Sequence, residues 1–402
     1  MKQLFSLLIF LLVPIHLAGW NSIRVIVVKG SRFPDLKGKP LAALHLFRCE
    51  GTSLVSIPYQ WDEKDGQNKF IFSGGPGTLS ENDELVFRFS DGGERCNLPD
   101  FHGYEIAVRH AGEVKYFYLL CCPAPSIVRE TEDYVSVSKN FNVKTQRYEM
   151  IFSDKYKIVP LEFVYREKNR EIHFMDEVKT RIFLKFFRFF HITKNETDFV
   201  TRKLGVIDGK VRGVLGMKNY TKMAFGIPAF PIYTAVEVYP DYVKFPVQIE
   251  IPIVPDSFKI KLCNDFNNLI GWKVYSSCSK RGYVVKGNPA GIEGYKCDGW
   301  KWFALSGRDF SFWVLSLLPQ NYPVKFGFYL QDDKNFLDPP ERFPGEVPGI
   351  GWDIRSLRKI EKKVRKISFT IYDLFAPPYH PGDEKLIIRD LLSEPDIKVN
   401  FR

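Results

Sequence analysis

What the sequence lacks narrows its chemistry first. There is no CxxC pair, so thioredoxin-like redox chemistry and zinc ribbons have no support. No HExxH or HxH sets two imidazoles at metal-binding spacing. His45, His102, His110, His173, His191 and His380 are scattered singly, as satisfied or exposed side chains are. GxSxG and glycine-rich phosphate loops are also missing, which removes the usual serine-hydrolase and nucleotide signatures. After Gly19 no apolar run reaches the ~20 residues of a spanning helix. Although the net charge is +10, the basic residues are spread along the chain and no zinc-finger, helix-turn-helix or RNP-like pattern accompanies them. That distribution fits a mildly cationic surface and argues against nucleic acid as a partner.

Cysteine is sparse, with seven in 402 residues: Cys49, Cys96, Cys121, Cys122, Cys263, Cys278 and Cys297. The number is odd, so at least one thiol is left over or pairs between chains. Cys121 and Cys122 are adjacent and cannot form a relaxed bridge with each other. One bridge is expected within Cys263, Cys278 and Cys297, and another between Cys49 and Cys96. Bridges require an oxidising compartment. The N-terminus supplies a route to one. In MKQLFSLLIFLLVPIHLAGW, Lys2 precedes an apolar Leu4–Leu17 run, and Ala18 and Gly19 offer a cleavage point. This predicts a signal peptide over 1–19 and a periplasmic or secreted product, with an uncleaved anchor as the alternative.

The chain is otherwise rich in β pattern. It carries 35 Phe and 19 Tyr, residues that favour strands and a thick core. Short strands with regular turn signals run from Ile23 through Cys122, the look of a sandwich. Ile57, Tyr59 and Trp61 alternate with Pro58, Gln60 and Asp62, and Leu85, Phe87 and Phe89 alternate with Val86, Arg88 and Ser90, which reads as a half-buried strand. Pro123, Pro125 and the polar Arg129–Lys139 run mark a boundary, beyond which strands continue. The run Lys179–Ile192 is basic and aromatic and reads as a strand, with Ile182, Leu184, Phe186, Phe190 and Ile192 on one face. Only Ile354, Leu357, Ile360 and Val364 keep helical spacing. The expected fold is mostly β: an N-terminal antiparallel β-sandwich over 20–135 and a larger, supersandwich-like β-sandwich with a C-terminal tail over 136–402, with few helices.

The candidate site lies in Ile57–Asp91. Asp62, Asp65, Asp83, Glu84 and Asp91 sit there between apolar strands, and turn carboxylates are the ligands a hard cation takes. Asp62, Asp65, Asp83 and Glu84 are therefore candidate Ca²⁺ ligands, assembled from separate turns because no EF-hand loop fits. The competing reading has these acids capping turns and pairing with Lys64, Lys69 and Arg88. Asp62 and Glu84 are also a candidate acid and base pair for glycoside hydrolysis. Trp272, Trp300, Trp302 and Trp313 are either sugar-stacking platforms or core.

IPYQWDEKD followed by ENDELVFRFSDGG resembles a group of bacterial exported proteins with an IPxQxDExD…DELVF signature, loosely akin to galactose-mutarotase-like supersandwich proteins. GKVRGVLG (Gly209–Gly216) and RFPGEVPGIGWDIRSL match more loosely. The resemblance implies a large exported β-sandwich protein near glycan chemistry and supplies no catalytic residue. Two function classes follow: a non-catalytic binding or scaffold protein for glycan or envelope polymer, and a carboxylate-dependent glycan hydrolase or lyase.

Overall fold

A computed structural model describes residues 22–98, 101–129, 131–153, 159–167, 170–186, 189–221, 231–250, 255–288, 291–294, 301–317, 324–339, 343–356 and 366–402. The expected signal segment 1–19, Cys297 and Trp300 lie outside the described residues. Among the described residues the chain forms four antiparallel sheets of three, five, nine and ten strands and a single α-helix, Asp383–Leu392. No helix among them is long and apolar enough to cross a membrane.

The sheets stack as layers, and side-chain alternation shows how. In Val25–Lys29, Ile26 and Val28 face a core shared with the five-stranded sheet, through Leu46, Ile106 and Phe117. Val25 and Val27 face the opposite way, onto Trp313, Leu315 and Leu374 of the nine-stranded sheet. Glu84–Arg88 is built likewise, with Leu85 and Phe87 turned to the first core and Val86 to the second. The strand expected to be half-buried is therefore covered on both faces, because the three-stranded sheet is an inner layer. A third core, with Phe163, Phe174, Phe312 and Phe375 at its centre, lies between the nine- and ten-stranded sheets.

Local differences from the sequence reading have simple causes. The Leu54–Trp61 strand is split into Ser53–Ser56 and Tyr59–Asp62, separated by Ile57 and Pro58. Lys69–Phe72 is no strand; Phe70 makes an isolated bridge to Lys64. Ile354 belongs to the strand Gly349–Ser356, paired on both sides, and not to a helix; Leu357, Ile360 and Val364 lie outside the described residues. Within Lys179–Ile192 the stretches 179–186 and 190–192 are β as expected: Arg170–Phe186 pairs with Phe190–Asn195. The observed helix follows Pro381 and Gly382, opens on Asp383 and Glu384, and buries Ile387 and Leu391 one turn apart. It ties the two halves of the molecule: Asp390 takes hydrogen bonds from Ser22 Oγ at 2.7 Å and Ile23 N at 3.0 Å, and lies 2.7 Å from His110 Nε2. The last strand, Asp396–Phe401, pairs with Tyr104–His110 at the edge of the five-stranded sheet.

Cys49 and Cys96 form a disulfide with Cα atoms 5.8 Å apart. Cys278 is disulfide-bonded too, and Cys121, Cys122 and Cys263 are free thiols.

Candidate functional site

The strand Tyr59–Asp62 sends Tyr59 and Trp61 into the first core, so Gln60 and Asp62 face the nine-stranded sheet. There they meet Arg212, just ahead of the strand Gly213–Thr221. Gln60 Oε1 accepts from Val211 N at 2.8 Å and Arg212 N at 2.7 Å, and its Nε2 donates to Arg212 O at 2.8 Å. A Cβ on Gly209 would stand 2.3 Å from the Gln60 amide, so glycine is required for this approach. Arg212 Nε donates to Asp62 Oδ2 at 2.7 Å, Nη2 to Glu84 Oε2 at 2.6 Å, and Nη1 to Glu237 Oε2 at 3.4 Å. Lys64 Nζ lies 3.3 Å from Glu84 Oε1, and Lys244 Nζ 2.7 Å from Glu237 Oε1. Three cations thus face three carboxylates, and Arg212 at the centre is 2% exposed.

The electrostatics follow from that closure. Burial pulls the Arg212 pKa down, and Asp62, Tyr239, Glu237 and Glu84 outweigh it, holding the guanidinium charged. Burial pushes Asp62 up, opposed by Arg212 and Gln60. Burial also lowers Lys64, with Glu84 acting against it. Glu237 is held down, because Lys244 and Arg212 overcome its burial.

The other acids of the stretch have separate partners. Asp83 accepts from Ser80 N at 2.7 Å and Lys64 N at 2.9 Å. Asp65 closes a turn with Gln67 N at 2.9 Å and Lys69 N at 2.8 Å. Asp91 takes a 3.3 Å bond from Tyr134 OH, and burial raises its pKa. The structure therefore joins Asp62 and Glu84 through Arg212, seats Asp83 behind Lys64, and leaves Asp65 and Asp91 elsewhere. Among the described residues no group of three or more His, Cys, Asp or Glu is placed to hold a metal ion. Arg212 and Glu237 were not singled out from sequence. The available signal was a lone arginine in the otherwise apolar and glycine-rich VRGVLG.

Beside this joint runs an open groove of about 990 Å³. Its wall is the segment Asp65–Phe72, pinned where Phe72 lies on Gly216, so closely that a Cβ there would be 2.2 Å from the ring. Its floor is the outer face of the nine-stranded sheet. Across three strands of that floor, Tyr233, Gln248 and Ser368 are direct neighbours in register, with strands ~4.8 Å apart, and Lys218 pairs with Tyr233 on the next strand, outside the groove lining. Pro246, Thr370 and Leu317 form a second row. Lys218 Nζ sits 4.5 Å from the Tyr233 ring centre. Of the tryptophans weighed as sugar platforms, Trp302 and Trp313 are buried in the second core and Trp272 packs against the third.

A second, polar pocket of about 100 Å³ lies on the ten-stranded sheet, lined by Lys179, Cys263, Asp265, Tyr329 and Asp338. Lys179 and Asp265 are paired there at 2.6 Å. Burial pushes the Cys263 thiol up to about 12.

No protein-family profile matches the chain, and no curated protein matches it by sequence. Solved structures do resemble it. An α-mannosidase from Enterococcus faecalis V583 aligns with TM-score 0.52 and 7% identity, over 94% of this chain and 44% of that one. The α-N-acetylgalactosaminidase NagBb from Bifidobacterium bifidum aligns with TM-score 0.38 and 10% identity, over 61% and 37%. The Slr1438 protein from Synechocystis sp. PCC 6803 gives 0.39 and 8%, over 62% and 100%. At these identities the likeness concerns the fold alone, and of these three the α-mannosidase has a TM-score above 0.5. The chain spans less than half the length of the two glycosidases. It is a mostly β protein of stacked antiparallel sheets, a fold shared with part of a bacterial α-mannosidase.

Proposed function

We infer that this is a non-catalytic binding protein for an extended glycan or related envelope polymer, taken up in the groove beside the Asp65–Phe72 wall. The observation that carries this reading is the cross-strand row Tyr233–Gln248–Ser368 on the groove floor. A hydrated polyhydroxyl chain needs repeated hydrogen-bonding rungs with apolar surface between them, in a site open enough to admit a polymer. The row and the Pro246–Thr370–Leu317 row beside it supply both. Enclosed small-molecule sites are more apolar and more covered than this. Asp62 and Glu84 suit a structural role better than acid–base work, since both are buried and bound to one guanidinium. The disulfide Cys49–Cys96 supports an exported, oxidising location.

A second reading, a carboxylate-dependent hydrolase or lyase, is favoured by Asp265 and Asp338 lining the polar pocket. A glycan-array screen with product analysis on the same purified protein separates the two. Retention of one glycan class without cleavage is the expected result. Cleavage products that disappear in Asp265→Asn establish the enzyme, and no retained glycan overturns the binding reading.

A further inference from the structure

Between the nine- and ten-stranded sheets the described residues leave part of the third core unfilled. A cavity of about 170 Å³ remains, lined by apolar side chains from both sheets, among them Ile182, Phe245, Val247, Ile260 and Ile371. An apolar cavity of about 150 Å³ stays dry and accepts a benzene-sized guest. This one is a slot between the sheets, lined across five neighbouring strands of the nine-stranded sheet from Asn219 to Val314. Its lining includes Phe369 through Asp373 on one strand and Phe245 through Ile249 on the next. Four residues of strand span ~13 Å, which gives an alkyl chain of medium length room to lie between the sheets.

The cavity also carries buried polar atoms. Asn219 has no solvent exposure. Its Oδ1 accepts from Thr201 Oγ1 at 2.5 Å, while its Nδ2 has no hydrogen-bond partner, and neither has Thr234 Oγ1. Both residues line the cavity. They stand on adjoining strands, Thr234 opposite Val247, and Asn219 opposite Ile232, itself opposite Ile249. Buried polar groups left unpaired are uncommon and costly, and two facing one apolar slot call for a ligand oxygen. Asn219 opens an Asn-Tyr-Thr sequon, and its burial gives the side chain this interior role instead of a surface one.

We propose that the cavity between the two large sheets binds a linear amphiphile, an alkyl chain of medium length whose oxygen head group is held by Asn219 Nδ2 and Thr234 Oγ1. The site is distinct from the glycan groove, since it lies on the inner face of the nine-stranded sheet and the groove lies on the outer face. Asp373 closes one end of the slot. Burial pushes its carboxyl up to about 8, which keeps it neutral beside an apolar chain at physiological pH.

The test is calorimetric titration and thermal unfolding of the full protein with 1-decanol, with sorbitol as a chainless control. One saturable site for decanol and a raised melting temperature are expected, with no response to sorbitol. Val247→Trp fills the slot and abolishes binding; Ile260→Phe, from the opposite sheet, does the same should the first variant fail to fold. Asn219→Leu weakens decanol binding roughly tenfold, the loss of one hydrogen bond. Absence of saturable binding to the wild type overturns the proposal. So does undiminished binding in a slot-filling variant with native circular dichroism, and unchanged affinity in Asn219→Leu removes the head-group assignment.

Discussion

Arg212 Nε donates to Asp62 Oδ2 at 2.7 Å across 150 residues of chain. That bond is the centre of the joint between the N-terminal sheets and the nine-stranded sheet. The IPYQWDEKD and DELVF segments each contribute an apolar face to one core and one carboxylate, Asp62 or Glu84, to the same buried arginine.

Removing Arg212 leaves Asp62 and Glu84 buried without their shared partner. Arg212→Met is expected to cost about 3–5 kcal/mol, the usual penalty for breaking a buried pair. Urea unfolding measures it. Combining Arg212→Met with Asp62→Leu and Glu84→Met is expected to recover much of the loss, because no uncompensated charge then remains. A loss in the triple variant as large as in the single one contradicts the role given to the charges.

Asp62, Asp65, Asp83 and Glu84 each have protein partners: Arg212, Lys64 or backbone N–H groups. A cation is then not needed to offset their repulsion. Melting curves in millimolar Ca²⁺ and in chelator are expected to coincide. A calcium-dependent rise that is lost in Asp83→Asn would restore the cation reading, by mass action on the folded state.

How much of this was legible in the sequence depends on which force placed each residue. Alternation at Tyr59–Asp62 was readable, because one face is uniformly apolar and a strand has period two. Burial of Val86 was not, since a strand covered on both faces looks half-buried when its second neighbour is distant in sequence. The acids were visible as a cluster, but their partner lies 150 residues away, and local spacing carries no trace of such a contact. The groove was invisible for the same reason: Tyr233, Gln248 and Ser368 become neighbours only through register. The helix Asp383–Leu392 had a local signal in Pro381-Gly382-Asp383-Glu384 that went unread beside so much β pattern.

The cysteines provide a chemical check. Thiol counting on unfolded, unreduced protein is expected to find Cys121, Cys122 and Cys263. The Cys49–Cys96 bridge closes a 47-residue separation. Cys49→Ala with Cys96→Ala is expected to lower stability by about 4 kcal/mol on the chain-entropy estimate. Seven free thiols in protein isolated from its host would contradict the oxidising location.

Asp373 makes stability depend on pH in an unusual direction. Its pKa rises from the model-peptide 3.8 to about 8 on folding. The folded state thus holds the proton more tightly than the unfolded state does. The associated stability is fully present below pH ~4, falls as pH rises, and is lost once pH passes ~8. Asp373→Asn, which cannot ionise, is expected to raise the melting temperature at pH 8 and to have little effect at pH 4. The gain at pH 8 is on the order of a few kcal/mol at most. Equal effects at both pH values would show that the carboxyl does not titrate in this range.

The most direct test of the binding function is a titration of the glycan class retained on the array against wild type, Tyr233→Ala, Gln248→Ala and, as a control in the other pocket, Asp265→Asn. Each groove variant is expected to weaken binding roughly tenfold, about 1.4 kcal/mol per lost contact, while Asp265→Asn binds as wild type does. Unchanged affinity in both groove variants, with loss in Asp265→Asn, would contradict the assignment and move the glycan site to the ten-stranded sheet.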